Sequence, residues 1–205
     1  MRVRRVALPA GWAFVVAHSL GDAVKAGAAR ETYNRRRAEV ERAFALATAR
    51  LGSETSGYAA LLATHDAGEL LRAGSELPPP LAARFRHVVT ESRRVEDAVE
   101  RLAAADAPAF GALLRASHAS LREAFEVSTP ALDALVDAAL EAGALGARLT
   151  GAGLGGCIVA LVPEPVVEDF LARLARTFYR PRGVELAGRA FRVRPADGAT
   201  SVAAT

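Results

Sequence analysis

The stretch GARLTGAGLGGCIVALV, residues 146–162, decides the fold. It places Gly151, Gly153, Gly155 and Gly156 within six residues and then turns apolar. Three uses of such a loop compete: a dinucleotide loop, a phosphate loop, and a tight turn between two strands. Gly151, Gly153 and Gly156 satisfy G-x-G-x-x-G by spacing, but that fingerprint needs a strand before the loop and a helix opening at it. Here CIVALV follows, a β-branched apolar run that reads as a strand, and the next helix starts only after Pro163. No Lys-Ser or Lys-Thr follows the glycines, which argues against a Walker-type loop. The remaining order is strand, glycine turn, strand, helix, over residues 147–150, 157–162 and 166–178. Glycines let backbone N–H groups approach an anion closely, and four of them exceed what a simple hairpin needs. The plain alternative is a turn that requires positive φ angles and does nothing else.

Outward from the loop, the pattern is mainly helical. A strand is expected at 12–17, then a glycine- and alanine-bearing connection, then a helix from about Thr32 to Arg50. GSETSG ends that helix, and residues 58–71 read as one short helix. GSELPPP is a breaker, because consecutive prolines cannot continue a helix. Apolar positions Phe85, Val88, Val89, Val95, Val99 and Leu102 recur at helical spacing over 81–105. Asp106 and Thr129 each stand as N-caps, with Pro108 and Pro130 in the first turns that follow. The tail reads as strands around a turn at Gly188, with disorder over 195–205. Strands at both ends of a helical chain give an α+β class, not regular βαβ alternation.

Composition narrows the function. The 205 residues are 51% hydrophobic and 24% charged, as in a globular protein with a sizeable core. Net charge is +3, and among 26 basic residues only Lys25 is not arginine. Acidic and basic residues alternate along the helices, so no clustered basic face points to nucleic acid. Cys157 is the only cysteine, which excludes an intrachain disulfide and suits a reducing, cytoplasmic setting. The N-terminus MRVRRVALPAGWAFVVAHS has the outline of a secretory signal, but Pro9, Gly11 and Trp12 interrupt its apolar run and a strand is preferred. No segment has the apolar length to cross a bilayer. His18, His65, His87 and His118 lack the spacing of a metal site.

Four stretches together resemble one family. GARLTGAGLGGCIVALV resembles the third conserved motif of the GHMP kinases in its galactokinase form. YNRRRAEVERA (33–43), RHVVTESRR (86–94) and ASHASLREAFEVSTPALDALV (116–136) resemble galactokinase segments in the same order and spacing. Ala152 and Leu154 stand where the family often has Gly and Phe, and His18 where Asn is usual. The resemblance covers only the second half of such a kinase. The family's Gly-Leu-Ser-Ser-Ser-type phosphate loop and its catalytic Asp and Arg belong to a first half that nothing here matches.

The resemblance implies an antiparallel sheet with helices packed on one face and a ferredoxin-like core. It assigns 31–194 to the C-terminal kinase domain and 1–30 to the border with the first. It implies ATP as phosphoryl donor, Mg²⁺ arriving with ATP, and galactose or a related sugar as acceptor. Partners are then the sugar, ATP and the first half of the kinase, with no nucleic acid and no membrane. Tyr33 would hydrogen-bond a sugar hydroxyl, its bland alternative being a phenol that anchors a helix. Gly151, Ala152, Gly153, Gly155 and Gly156 would support the phosphate side of the cleft. No catalytic residue is expected in this chain, which is expected to be inactive alone. The rival reading is a non-catalytic sugar-sensing or docking module. Arg35, Arg36 and Arg37 diverge around a helix and form no single clamp; they read mostly as a solvated face, with one ion pair to Glu39 or Glu41. His118 and Ser120 diverge likewise, so a nucleophile–base pair is rejected in favour of a packing histidine.

Overall fold

A computed structural model describes residues 6–21 and 26–194. The element order is β1 (Trp12–His18), α1 (Ala26–Leu51), α2 (Tyr58–Thr64), α3 (Ala67–Ser75), α4 (Pro79–Ala103), α5 (Ala107–Glu123), α6 (Pro130–Glu141), β2 (Gly146–Leu149), β3 (Cys157–Pro163), α7 (Val167–Leu174) and β4 (Ala190–Val193). The four strands form one antiparallel sheet in the order β2-β3-β1-β4. The expected α+β class is what folds.

Alternation along the strands decides which face is covered. Ala13, Val15 and Ala17 of β1 are buried with Ile158, Ala160 and Val162 of β3 against Leu132, Leu135, Phe170 and Leu174 of α6 and α7. On the opposite face Trp12 and Leu161 pack around Phe110 of α5, while Phe191 of β4 stands 52% exposed. A separate helical core forms where α1, α3 and α4 meet, around Ala43, Ala47, Leu70, Phe85 and Val89.

The helix α5 joins the two layers by closing the β2 edge of the sheet. Edge strands carry outward N–H and C=O groups that need a partner. Leu149 donates its outward N–H to His118 Nδ1 at 3.4 Å, and Arg115 donates to the Leu145 carbonyl. Gly111 and Gly146 let the two backbones touch: a Cβ on Gly146 would lie 2.1 Å from the Gly111 carbonyl oxygen.

Most helix boundaries follow the expected signals. Asp106 and Thr129 accept the N–H groups of Ala109 and Leu132 and cap α5 and α6. Three expectations change. Helix α1 starts at Ala26, because alanine-rich sequence propagates helix in spite of Gly27. The single helix over 58–71 is two, since His65 is extended and Asp66 accepts the Glu69 N–H as a new cap. The tail contributes one strand, not two: a turn closed by Arg189 N–H to the Leu186 carbonyl leads directly into β4. The segment after α7 widens into a π turn over Ala175–Tyr179, and Tyr179 donates its hydroxyl to the His18 carbonyl at 2.9 Å. The tail 195–205 lies outside the described residues.

The α5–β2 contact generates a stability prediction. Gly146→Ala drives a methyl into a backbone oxygen that cannot rotate away, and is expected to cost about 2–3 kcal/mol in urea unfolding. Gly188→Ala meets open space at its positive φ and is expected to cost only about 1 kcal/mol.

Candidate functional site

Tyr33 lies on α1 with 45% of its surface exposed, and its hydroxyl donates to no described residue. It lines an open cleft of about 570 Å³ with Val40, His87, Glu91, Val95 and Phe125. His87 is buried, stacks on Phe125 with centroids 4.6 Å apart, and pairs its Nδ1 with Ser120 Oγ at 2.9 Å. Burial drives the His87 imidazole down to about 4 in spite of nearby Glu91, with Arg94, Arg148 and Arg84 reinforcing the neutral form.

The glycine loop connects β2 to β3, as expected. Gly151, Gly153, Gly155 and Gly156 all adopt positive φ, and so does Leu154 at +62°. The glycines differ in what they permit. A Cβ at Gly153 would lie 2.3 Å from the Val127 carbonyl oxygen, whereas Gly151 and Gly156 face open space. Leu154 donates its N–H to that same Val127 carbonyl at 2.7 Å, and Ser19 donates to Gly156 O at 2.8 Å. The loop is thus clamped to the α5–α6 linker on one side and to the end of β1 on the other. Gly151 and Ala152 remain exposed at its tip.

A buried ionic cluster lies between the Tyr33 helix and that linker. Arg84 of α4 is 1% exposed. Its Nε donates to Glu39 at 2.7 Å, one terminal nitrogen to Glu126 at 2.8 Å, and the other to the Ala124 carbonyl. Arg36 also reaches Glu126 at 2.7 Å and Glu39 at 3.1 Å. The expectation of a mostly solvated arginine run is therefore corrected: Arg37 pairs with Glu41 at the surface, but Arg36 is half-buried in this cluster. Partial desolvation raises the Glu39 carboxyl, but the hydrogen bond and charge of Arg84, joined by Arg36, outweigh it and hold it below the usual range. Glu126 takes φ +56°, which costs a non-glycine residue about 1 kcal/mol. Arg84, Glu126 and Val127 were absent from the sequence candidates. One signal was present: Arg84 falls three residues after Leu81 and four before Val88, on the helix face that should be apolar.

The serines near His118 do not assemble around it. Ser120 turns to His87 and Ser117 donates to Glu91, which also holds Arg148 and Arg94. His118 accepts the Leu149 N–H and faces Asp133 at 3.2 Å, so it pins α5 between β2 and α6. Among the described residues no group of three His, Cys, Asp or Glu is placed to hold a metal ion, and no helix is long and apolar enough to cross a membrane.

Two predictions follow the geometry. Gly153→Ala is expected to cost about 2–3 kcal/mol because it meets the Val127 carbonyl, against about 1 kcal/mol for Gly151→Ala, both read by denaturant unfolding. His87, whose ordinary value of 6.5 falls to about 4 on folding, makes stability drop as pH falls through that window. Above it neither state is protonated; within it only the unfolded state is; below it the loss levels off. The loss is expected to reach about 3 kcal/mol, and His87→Gln should remove that part of the pH slope.

Comparison with known proteins places the geometry. Residues 98–180 match the family described as GHMP kinases C terminal. The chain is 40% identical over 183 residues to a galactokinase of Roseiflexus sp. (strain RS-1), covering 88% of this chain and 44% of that one. It is 44% identical over 137 residues to a galactokinase of Mycobacterium tuberculosis, covering 67% of this chain and 35% of that one. A crystal structure of Lactococcus lactis galactokinase complexed with galactose superposes with a TM-score of 0.73 at 30% identity, covering 92% of this chain and 45% of the other. A crystal structure of L. major mevalonate kinase shares the fold less closely, at TM-score 0.50 and 19% identity. The chain spans less than half the length of the galactokinases it matches. Residues 98–180 therefore match the GHMP kinase C-terminal family, and over most of its length the chain is similar to the C-terminal part of galactokinases.

Proposed function

We propose that this chain is the C-terminal portion of a sugar kinase that transfers the γ-phosphate of ATP to the anomeric hydroxyl of galactose or a related sugar. The observation that carries the reading is the 40% identity to a galactokinase sustained over 88% of the chain. Phosphoryl transfer depends chiefly on positioning and charge stabilisation. In this reading the exposed Tyr33 hydroxyl orients the sugar. Gly151, Ala152, Gly153, Gly155 and Gly156 support the phosphate side, with the exposed loop tip closest to the nucleotide. Mg²⁺ arrives with ATP and neutralises phosphate charge. The catalytic groups come from the first half, so the chain alone is inactive. The work is cytoplasmic and involves neither nucleic acid nor membrane.

A second reading, a non-catalytic module that senses sugar or docks on a separately made first half, is favoured by one observation. Phe191 is half exposed on the sheet face that α6 and α7 leave open.

The test is reconstitution. The purified chain is expected to release no ADP from ATP and galactose, and mixing it with the first half of the Roseiflexus galactokinase should restore galactose-dependent release. Turnover by the chain alone would overturn the inactive-fragment reading, and failure of every sugar in the mixture would favour the docking module. Tyr33→Phe in the active mixture should raise KM for the sugar about 5- to 30-fold, the loss of one hydrogen bond of about 1–2 kcal/mol, with KM for ATP unchanged.

A further inference from the structure

We propose that Arg84 is a positioning residue, a strut that fixes the Tyr33 helix and the glycine loop relative to each other through the segment 124–127. The proposal rests on the reading that Tyr33 and the loop face one substrate complex.

One leg of the strut runs to α1. Arg84 donates to Glu39, and Arg36 reaches both Glu39 and Glu126. Arg36 follows Tyr33 by less than one helical turn, so the two move as one rigid piece. The other leg runs to the loop. Arg84 holds the linker on both sides of Phe125, through the Ala124 carbonyl and the Glu126 carboxylate. The next residue, Val127, presents the carbonyl that accepts the Leu154 N–H and abuts Gly153. Glu126 keeps its left-handed backbone because Arg84 and Arg36 hold its carboxylate. Phe125, between the two anchor points, forms part of the Tyr33 cleft wall. Three acceptors lie around one buried guanidinium, and only its planar fork meets all three at once, which a lysine ammonium cannot do.

Hydrogen–deuterium exchange on the full 205-residue chain tests the strut without any substrate. Glu126 is half exposed, so Glu126→Ala removes the link without opening the core. Exchange at the Leu154 amide, and at the Arg36 and Arg37 amides of α1, should rise about tenfold, while the Ala160 amide in β3 stays unchanged. Glu126→Gln keeps the acceptor and should stay within about twofold of the parent, and Arg84→Lys should behave like Glu126→Ala. Unchanged exchange at Leu154 in Glu126→Ala, or an equal rise at Ala160, overturns the proposal. In the reconstituted enzyme Glu126→Ala should raise KM for sugar and for ATP together, with Glu126→Gln restoring both. If the mixture is inactive with the parent chain, the kinase reading fails, while the exchange result still decides the strut.

Discussion

Two backbones touch where α5 crosses the start of β2, and the rest of the molecule is arranged around that contact. Gly111 and Gly146 carry no Cβ, so the helix can lie against the sheet edge instead of standing off by a side chain's width. The edge is then closed by side chains of the same helix, with His118 and Arg115 taking outward backbone groups of Leu149 and Leu145. Because α5 also packs on α4, this one contact joins the sheet core to the helical core that carries Tyr33.

The second constraint is electrostatic. Arg84 lies where an apolar side chain would be expected, and its charge is tolerable only because all three nitrogens are engaged. Losing a fully buried partner typically costs such a group about 3–5 kcal/mol, whereas Glu126 is half exposed, and Glu39 and the Ala124 carbonyl hold the guanidinium without it. An apolar residue at position 84 could pack the helix, but it would not orient the linker. The polar cluster thus contributes geometry more than stability, and that geometry reaches both the cleft and the loop.

Glycine has two different roles in the loop that opened the sequence reading. At Gly153 the lack of a side chain admits the Val127 carbonyl, whereas at Gly151 and Gly156 only the backbone conformation demands it. Leu154 shares the positive φ without being glycine, held there by its hydrogen bond to Val127. The spacing G-x-G-x-x-G therefore marks one steric requirement among several conformational ones.

The helices, their caps at Asp106 and Thr129, and the strand–glycine turn–strand order were legible in the sequence, because each depends on periodicity or on residues three or four positions apart. The break at Asp66 was legible too, as Asp followed three residues later by Glu, but Leu61-Leu62 and Leu70-Leu71 on either side read as one helical segment. The four family-like stretches named the loop and Tyr33, yet they could not say that Phe125 and His87 line a cleft beside the phenol. Arg84, Glu126 and Val127 stand 42 and 43 residues apart in the chain, and nothing local links them. By itself the sequence determined the elements and the residue types able to bind or turn. Only the tertiary structure decided which carbonyl meets the glycine loop and which carboxylates neutralise the buried arginine, because those contacts form only when distant segments are packed together.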